Sequence, residues 1–141
     1  MPMPPQYFLL LLILSAHTPA ALASTLHSKA RSGDAAFFTK SLRASPSLNA
    51  REPSTGQTPL MAATLAGQAA VVSRLLQLGA EPSIPEKDGY TPPHGAAFQG
   101  QATAARALIA AGVDVDGVHG DGYSPLHRTT WGRTEGHVET A

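Results

Sequence analysis

The sequence repeats itself with a period of 33 residues, and this period constrains the fold more than any other feature. A run that starts with Gly reads GQTPL at 56–60, GYTPP at 89–93 and GYSPL at 122–126. Positions outside the run keep the same step, so that Leu75 recurs as Leu108. A fixed period of this length is typical of solenoids, in which each unit packs against its neighbours.

Each unit predicts two short helices. Thr58 and Pro59 indicate a helix start, because Thr caps a helix N-terminus and Pro suits the first helical position. A first helix is expected over 60–65 and a second over 70–78, with Gly79 ending the second helix. No unit holds enough apolar surface to fold alone, so stacked units must share one continuous core.

The second helix of each unit carries apolar residues at helical spacing, which predicts a buried stripe. We expect four side chains to lie between stacked helix pairs: Leu75, Leu76, Leu108 and Ile109. The unit at 89–121 departs from the pattern, because Pro93 stands where the other two units have Leu. Its first helix is therefore expected to lose an apolar anchor, and its geometry is in question.

The starts of the units resemble a known repeat family. The segments TPL at 58–60, TPPH at 91–94 and SPLH at 124–127 match the T-P-L-H motif that opens an ankyrin repeat, and GVDVD at 112–116 resembles its G-A-D-V-N segment. The resemblance covers about residues 24–141. It implies an all-α ankyrin-repeat solenoid of helix-turn-helix units with hairpin loops, about three and a half repeats long.

The resemblance and the period together divide the chain. A degenerate N-terminal repeat, two complete repeats and an incomplete C-terminal repeat are expected at 24–55, 56–88, 89–121 and 122–141. In the last repeat, the G-H-x-E match at 136–139 comes three residues late, which indicates an insertion near Trp131. Three to four units are close to the minimum for a stable stack, so marginal stability is expected.

The N-terminal stretch predicts a secretory leader. No charged side chain precedes Lys29, and the apolar run at 7–14 is too short to cross a bilayer. Small residues at 21–23 form an A-x-A motif, which indicates a signal peptide at 1–23 with cleavage before Ser24. The start of the leader has no Lys or Arg, which favours a eukaryotic leader over a bacterial one.

This leader sets the expected location. The protein should enter the secretory pathway or the extracellular space, or the periplasm if it is bacterial, with no stable membrane insertion after cleavage. The alternative is that the leader stays uncleaved and anchors the chain in a membrane.

Composition and motifs exclude several function classes. Ten Lys and Arg balance ten Asp and Glu, so the chain lacks the basic stripe of a nucleic-acid-binding protein. It has no Cys, no HExxH, and no P-loop, dinucleotide or nucleophile-elbow motif. A calcium loop starting at Asp114 fails, because Val118 and His119 stand where an oxygen ligand and Gly are needed. We expect no catalytic residue, no metal, no cofactor and no nucleic-acid partner.

The six His residues are interpreted without metal chemistry. The resemblance implies that His94 and His127, at the end of the T-P-L-H motif, bond to backbone and steady the turn. His27 occupies the equivalent position in the first repeat.

The function implied by the resemblance is non-enzymatic protein binding through the concave face. In that family, hairpin tips and the exposed ends of the first helices point into the concave groove. The corresponding residues here are Gln57, Leu65, Lys87, Tyr90, Phe98, Gln99, Tyr123 and Trp131. Aromatic side chains are rare in this chain, yet four stand at these positions, and Tyr and Trp are enriched in interface hot spots. We expect a monomer that binds a protein partner.

Two other interpretations stay open. The chain could be an N-terminal fragment or structural spacer of a longer secreted or membrane ankyrin protein, with no binding role of its own. A secreted regulator or effector would be a special case of the binding module. For the aromatic residues, the structural alternative is that Phe98 and Trp131 cover the open edge of the incomplete last repeat.

Overall fold

A computed structural model of the chain describes residues 19–129, and this part contains helices and turns but no β-strand. Its α-helices are α1 Pro19–Ser32, α2 Pro59–Leu65, α3 Ala69–Leu78, α4 Pro92–Gln99, α5 Ala102–Ala110 and α6 Pro125–Thr129. Short 3₁₀ helices connect α1 to α2: Ala35–Phe37, Lys40–Leu42 and Pro46–Asn49. The all-α prediction is confirmed for these residues, and α2 and α3 each begin one residue before the predicted start.

The helices form two rows. Helices α1, α2, α4 and α6 pack one against the next, and α3 packs against α5 in a second row. Within a repeat, α2 packs against α3 and α4 against α5. First helices therefore share one side of the stack and second helices share the other.

The helix starts follow the predicted chemistry at α2. The Thr58 hydroxyl accepts a hydrogen bond from the Met61 N–H at 3.2 Å, and Pro59 is the first helical residue. In α4 the Thr91 hydroxyl instead pairs with Nδ1 of His94 at 2.8 Å. Where the motif carries His, the hydroxyl therefore bonds to the imidazole.

The core confirms part of the predicted stripe. Leu75 and Leu108 are fully buried, and Leu76 is partly buried against the same cluster. The prediction for Ile109 is wrong, because its side chain is 57% exposed. Leu76 lies beside Ala107 of α5, and the described residues contain no further second helix that would cover Ile109 in the same way.

Pro93 does not break the third unit. Helix α4 forms over eight residues with Pro92 and Pro93 in its first turn, and both are buried. The first-turn N–H groups of a helix have no intrahelical acceptor, so a proline there removes no helical hydrogen bond. Pro93 also remains in the apolar interior between α4 and α6, where it lies beside Pro125.

Paired Gly and Gln residues link neighbouring repeats. The side-chain amide of Gln101 donates to the Leu65 carbonyl at 3.0 Å, and that of Gln68 donates to the Arg31 carbonyl at 3.0 Å. Gly67 has a φ of 71°, and a Cβ there would overlap the side-chain oxygen of Gln101. Gly67 therefore does more than end a helix, because it leaves room for a contact between repeats.

Helix α1 serves as the first helix of the degenerate repeat. It packs on α2, buries Leu26 completely, and places Leu22 against the core. The A-x-A motif at 21–23 lies inside this helix. Cleavage before Ser24 stays a prediction, and it would remove the Leu22 contact. Between residues 19 and 129, no helix has the length and apolar character needed to span a bilayer.

Candidate functional site

A cleft of about 440 Å³ opens along the row of first helices. Its floor is apolar, with Met61 and Leu65 from α2 and Phe98 from α4. Its rim is polar and includes Glu86 and Asp88 from the hairpin between α3 and α4. An apolar floor with a few polar groups at the rim is the usual composition of a binding site.

The cleft collects most of the side chains predicted for binding. Those that line it are Gln57, Leu65, Tyr90, Phe98 and Gln99. Phe98 is 47% exposed there.

The other three predicted residues lie elsewhere. Lys87 is exposed in the hairpin turn and is not part of the lining, and its backbone N–H donates to the Thr55 carbonyl at 2.9 Å. Tyr123 is also outside the lining and contacts the cleft residue Arg128. Trp131 lies outside the described residues.

Six lining residues were missed by the sequence analysis: Met61, Glu86, Asp88, His94, Gly95 and Arg128. Met61 and His94 stand four residues before Leu65 and Phe98, and residues at that spacing share a helix face. Helical spacing alone could therefore have found them. Glu86 and Asp88 reach the cleft because of the turn geometry of the hairpin, and helical spacing does not predict that geometry.

Arg128 lies at the centre of a cluster at one end of the cleft. We call this group the tip cluster, and its members are Tyr90, His94, His119, Asp121, Tyr123 and Arg128. The Arg128 guanidinium lies 4.5 Å from the Tyr90 ring centre and 5.4 Å from that of Tyr123. It also forms an ion pair with Asp121 and donates to the Tyr90 hydroxyl at 2.8 Å. Arg128 is almost completely buried, and its positive charge is compensated by the ion pair with Asp121.

Tyr90 joins two hairpins through the same cluster. Its ring centre lies 4.0 Å from that of His119, and its hydroxyl donates to Asp121 at 3.1 Å. His119 in turn donates from Nε2 to the Asp88 carbonyl at 2.9 Å. Both the ring and the hydroxyl of Tyr90 thus have partners within the chain, which makes Tyr90 a bridge between repeats as well as a lining residue.

The environment of Asp121 favours its charged form. Partial loss of solvent acts to raise the pKa of Asp121, but hydrogen bonds from His119, the Tyr123 backbone N–H, Arg128 and Tyr90 outweigh it. The net result is a pKa far below the ordinary value for Asp. The tip cluster therefore contains a stable carboxylate and guanidinium pair at neutral pH.

The environment of His94 favours its neutral form. Burial lowers the pKa of His94 below 6.5, nearby His119 and Arg128 lower it further, and its bond to the Tyr123 carbonyl only partly offsets this. That bond, from Nε2 at 3.3 Å, spans to the next repeat. His27 makes the matching contact to the Gln57 carbonyl at 2.8 Å. The expected hydrogen bond to backbone is thus confirmed for His94. In the unit at 56–88, the equivalent position holds Met61.

The lowered pKa of His94 predicts that stability falls as the pH drops below about 6.5. The unfolded chain takes up the proton first, near the ordinary pKa, so the free energy of unfolding decreases until the pH passes the folded pKa. Urea unfolding between about pH 8 and pH 5 measures this slope. The loss from Asp121 lies in a separate window, below about pH 4, because its folded pKa is lowered from 3.8.

A His94→Gln variant should flatten that slope. An identical slope in the parent and in His94→Gln would contradict the assignment.

The repeats match a family model over most of their length. The model for ankyrin repeats, in three copies, matches residues 11–117. The chain belongs to the ankyrin repeat family. Ankyrin repeats are in general protein–protein interaction modules, and the family is typically non-enzymatic. No curated protein matches the chain as a relative.

The ankyrin stack offers little for metal chemistry in the part that the structure describes. Across residues 19–129, no three His, Asp or Glu side chains come together in a way that could hold a metal ion. The Asp114 side chain accepts the Asp116 backbone N–H at 2.9 Å, which makes it a loop-stabilising residue. Among the described residues, the candidate site is therefore the cleft and not a metal centre.

Proposed function

We propose that this ankyrin protein binds a protein partner in the cleft formed by its hairpins and first helices, on the concave side of the stack. The observation that carries the proposal is the convergence of three repeats on one cleft, with Met61, Phe98 and Arg128 each from a different repeat. The stack holds these side chains in fixed positions, so little conformational entropy is lost on binding.

Phe98 is the side chain best suited to act as an anchor. It combines a large apolar surface with 47% exposure at the cleft, and it lies above the buried Met61. Aromatic anchors at the centre of an interface contribute more than the surrounding polar contacts. The polar rim then excludes water and sets orientation.

Phe98→Ala should reduce the capture of partner protein about tenfold or more, the range for a hot-spot residue. The experiment immobilises the chain, passes secretory-pathway lysate over it, and quantifies each captured protein by mass spectrometry. Ile109→Ala is the matched control, because it also truncates an exposed apolar residue but lies outside the cleft. If the parent and Phe98→Ala capture the same amount of partner and melt at the same temperature, the proposal is contradicted.

The spacer alternative is supported by one observation. Ile109 and Leu126 are both more than half exposed and line a second apolar depression at the α5–α6 end of the described part. A further repeat would normally cover such a face. If neither Phe98→Ala nor Ile109→Ala changes capture, the spacer interpretation is favoured.

We also propose that the protein enters the secretory route and is cut before Ser24. The supporting observation is the apolar run at 7–14 followed by the A-x-A motif. Mass spectrometry of protein secreted by eukaryotic cells should find Ser24 as the first residue. An intact Met1 species in the cytosol would contradict the proposal.

Because α1 begins at Pro19, this cleavage has a structural cost. A chain starting at Ser24 lacks the Leu22 packing and the Ala23 carbonyl that pairs with His27 Nδ1 at 2.6 Å. We expect the free energy of unfolding of the Ser24 chain to be about 1–2 kcal/mol lower than that of a chain starting at Pro19. Coincident unfolding curves would show that these residues add nothing to the fold.

A further inference from the structure

We propose that the partner segment bound in the cleft is cationic, with a Lys or Arg next to an aliphatic side chain. This inference rests on the proposed function and adds the chemistry of the partner. It follows from two properties of the cleft, namely its apolar floor and the carboxylates at its rim that no described residue pairs with.

The floor is apolar because Leu65 and Met61 pack against α4 at Gly95. A Cβ on Gly95 would lie 3.0 Å from Cδ2 of Leu65 and 3.0 Å from Cε of Met61, so these side chains occupy the space that a larger residue would need. Phe98 stands one turn further along the helix and lines the same cleft. Such a floor suits an aliphatic side chain of the partner.

The rim carries two carboxylates that no residue of the described part pairs with. Glu86 accepts the backbone N–H groups of Asp88 and Tyr90 at 2.9 and 3.1 Å, which fixes its carboxylate in place. Among the described residues, neither Glu86 nor Asp88 forms an ion pair. Among the described residues that line the cleft, the cation Arg128 is already paired with Asp121.

Lys87 does not compensate for these carboxylates inside the cleft, because it is exposed and absent from the lining. A Lys or Arg of the partner can reach Asp88 at the exposed rim while the adjacent aliphatic side chain lies on the apolar floor. Charge complementarity at a rim mainly raises the association rate and selects partners, so basic segments should be favoured over acidic ones.

The test uses a phage-displayed library of random peptides about 12 residues long, selected on the full chain. Enriched peptides should contain Lys or Arg beside Leu, Ile, Val or Met. The best peptide is then synthesised with a fluorophore, and its affinity is measured by anisotropy. Affinity should fall several-fold between about 50 and 500 mM NaCl, because salt screens exposed charges.

The deciding variant is Glu86→Gln with Asp88→Asn, which keeps the shapes and removes both charges. It should weaken binding about 5- to 10-fold, as expected for two exposed ion pairs. The matched control, Glu81→Gln with Asp116→Asn, removes the same net charge from exposed residues outside the cleft and should change little. Thermal melting of both variants verifies that each is folded.

The outcomes separate this inference from the proposed function. If binding is lost in Phe98→Ala but is insensitive to salt and to the rim variant, the cationic partner is wrong and cleft binding stands. If the two double variants weaken binding equally, net charge rather than the rim is responsible, and the inference is also wrong. If no peptide is enriched, or if Phe98→Ala binds like the parent, both proposals fail.

Discussion

Replacing Leu75 with Ala is expected to lower the free energy of unfolding by about 2–5 kcal/mol, the range for a buried Leu truncated to Ala. Leu75 is fully buried on α3, and α3 packs against both α2 and α5. The substitution therefore leaves a cavity where two repeats share their core. A domain of this size has about 5–15 kcal/mol in total, so the variant should be close to unfolded at 37 °C.

Urea unfolding followed by far-ultraviolet circular dichroism measures this loss. Ile109→Ala is the control, because it removes an aliphatic side chain from the equivalent helix at a position that is 57% exposed. Its unfolding curve should stay within about 0.5 kcal/mol of the parent, as for most surface substitutions. If Leu75→Ala and Ile109→Ala cost the same, the packing of α3 against α5 is not as described.

Tyr90→Ala should cost about 2–3 kcal/mol, in the upper part of the usual range for single substitutions. The truncation removes the ring contact with His119, the cation–π contact with Arg128 and the hydroxyl bond to Asp121. It also leaves the buried Arg128 guanidinium beside an empty space. The expected result is early loss of structure in the last hairpin and α6.

Tyr90→Phe separates these contributions. It keeps the ring and removes the hydroxyl, so the expected loss is about 1 kcal/mol, the net value of one hydrogen bond. Amide hydrogen exchange in residues 119–129 should increase more in Tyr90→Ala than in Tyr90→Phe. Unchanged stability and exchange in Tyr90→Ala would mean that the side chain serves only the cleft, as the sequence alone suggested.

The comparison of Tyr90 with Phe98 shows where sequence reasoning stops. Both were predicted for the binding face from their position in the period, and both line the cleft. Their tasks differ because His119, Asp121 and Arg128 surround Tyr90, whereas Phe98 stays nearly half exposed. No period can reveal which neighbours surround a given position, because the neighbours of Tyr90 lie 29 to 38 residues further along the chain.

The sequence by itself determined the two helices of the unit at 56–88 and the order of the units. Thr58, Pro59 and Gly79 fix where helices start and end through local backbone preferences, and the 33-residue step fixes how units stack. These are short-range effects or exact repetitions, so a single sequence contains them in full.

The tertiary structure decided which side chains are buried, exposed or paired at the positions that vary between units. Ile109 has the same sequence pattern as Leu76, yet it is exposed, because burial depends on whether a neighbouring helix covers it. Arg128 takes the position that holds Gly95 one repeat earlier, and folding brings Asp121 and two Tyr rings close enough to stabilise its charge. Gly95 likewise depends on another repeat, because the side chains of Leu65 and Met61 pack where its Cβ would lie. Packing and electrostatic contacts between repeats join residues that are far apart in the sequence. In this chain they form, on an otherwise regular stack, a cleft with an apolar floor and an acidic rim.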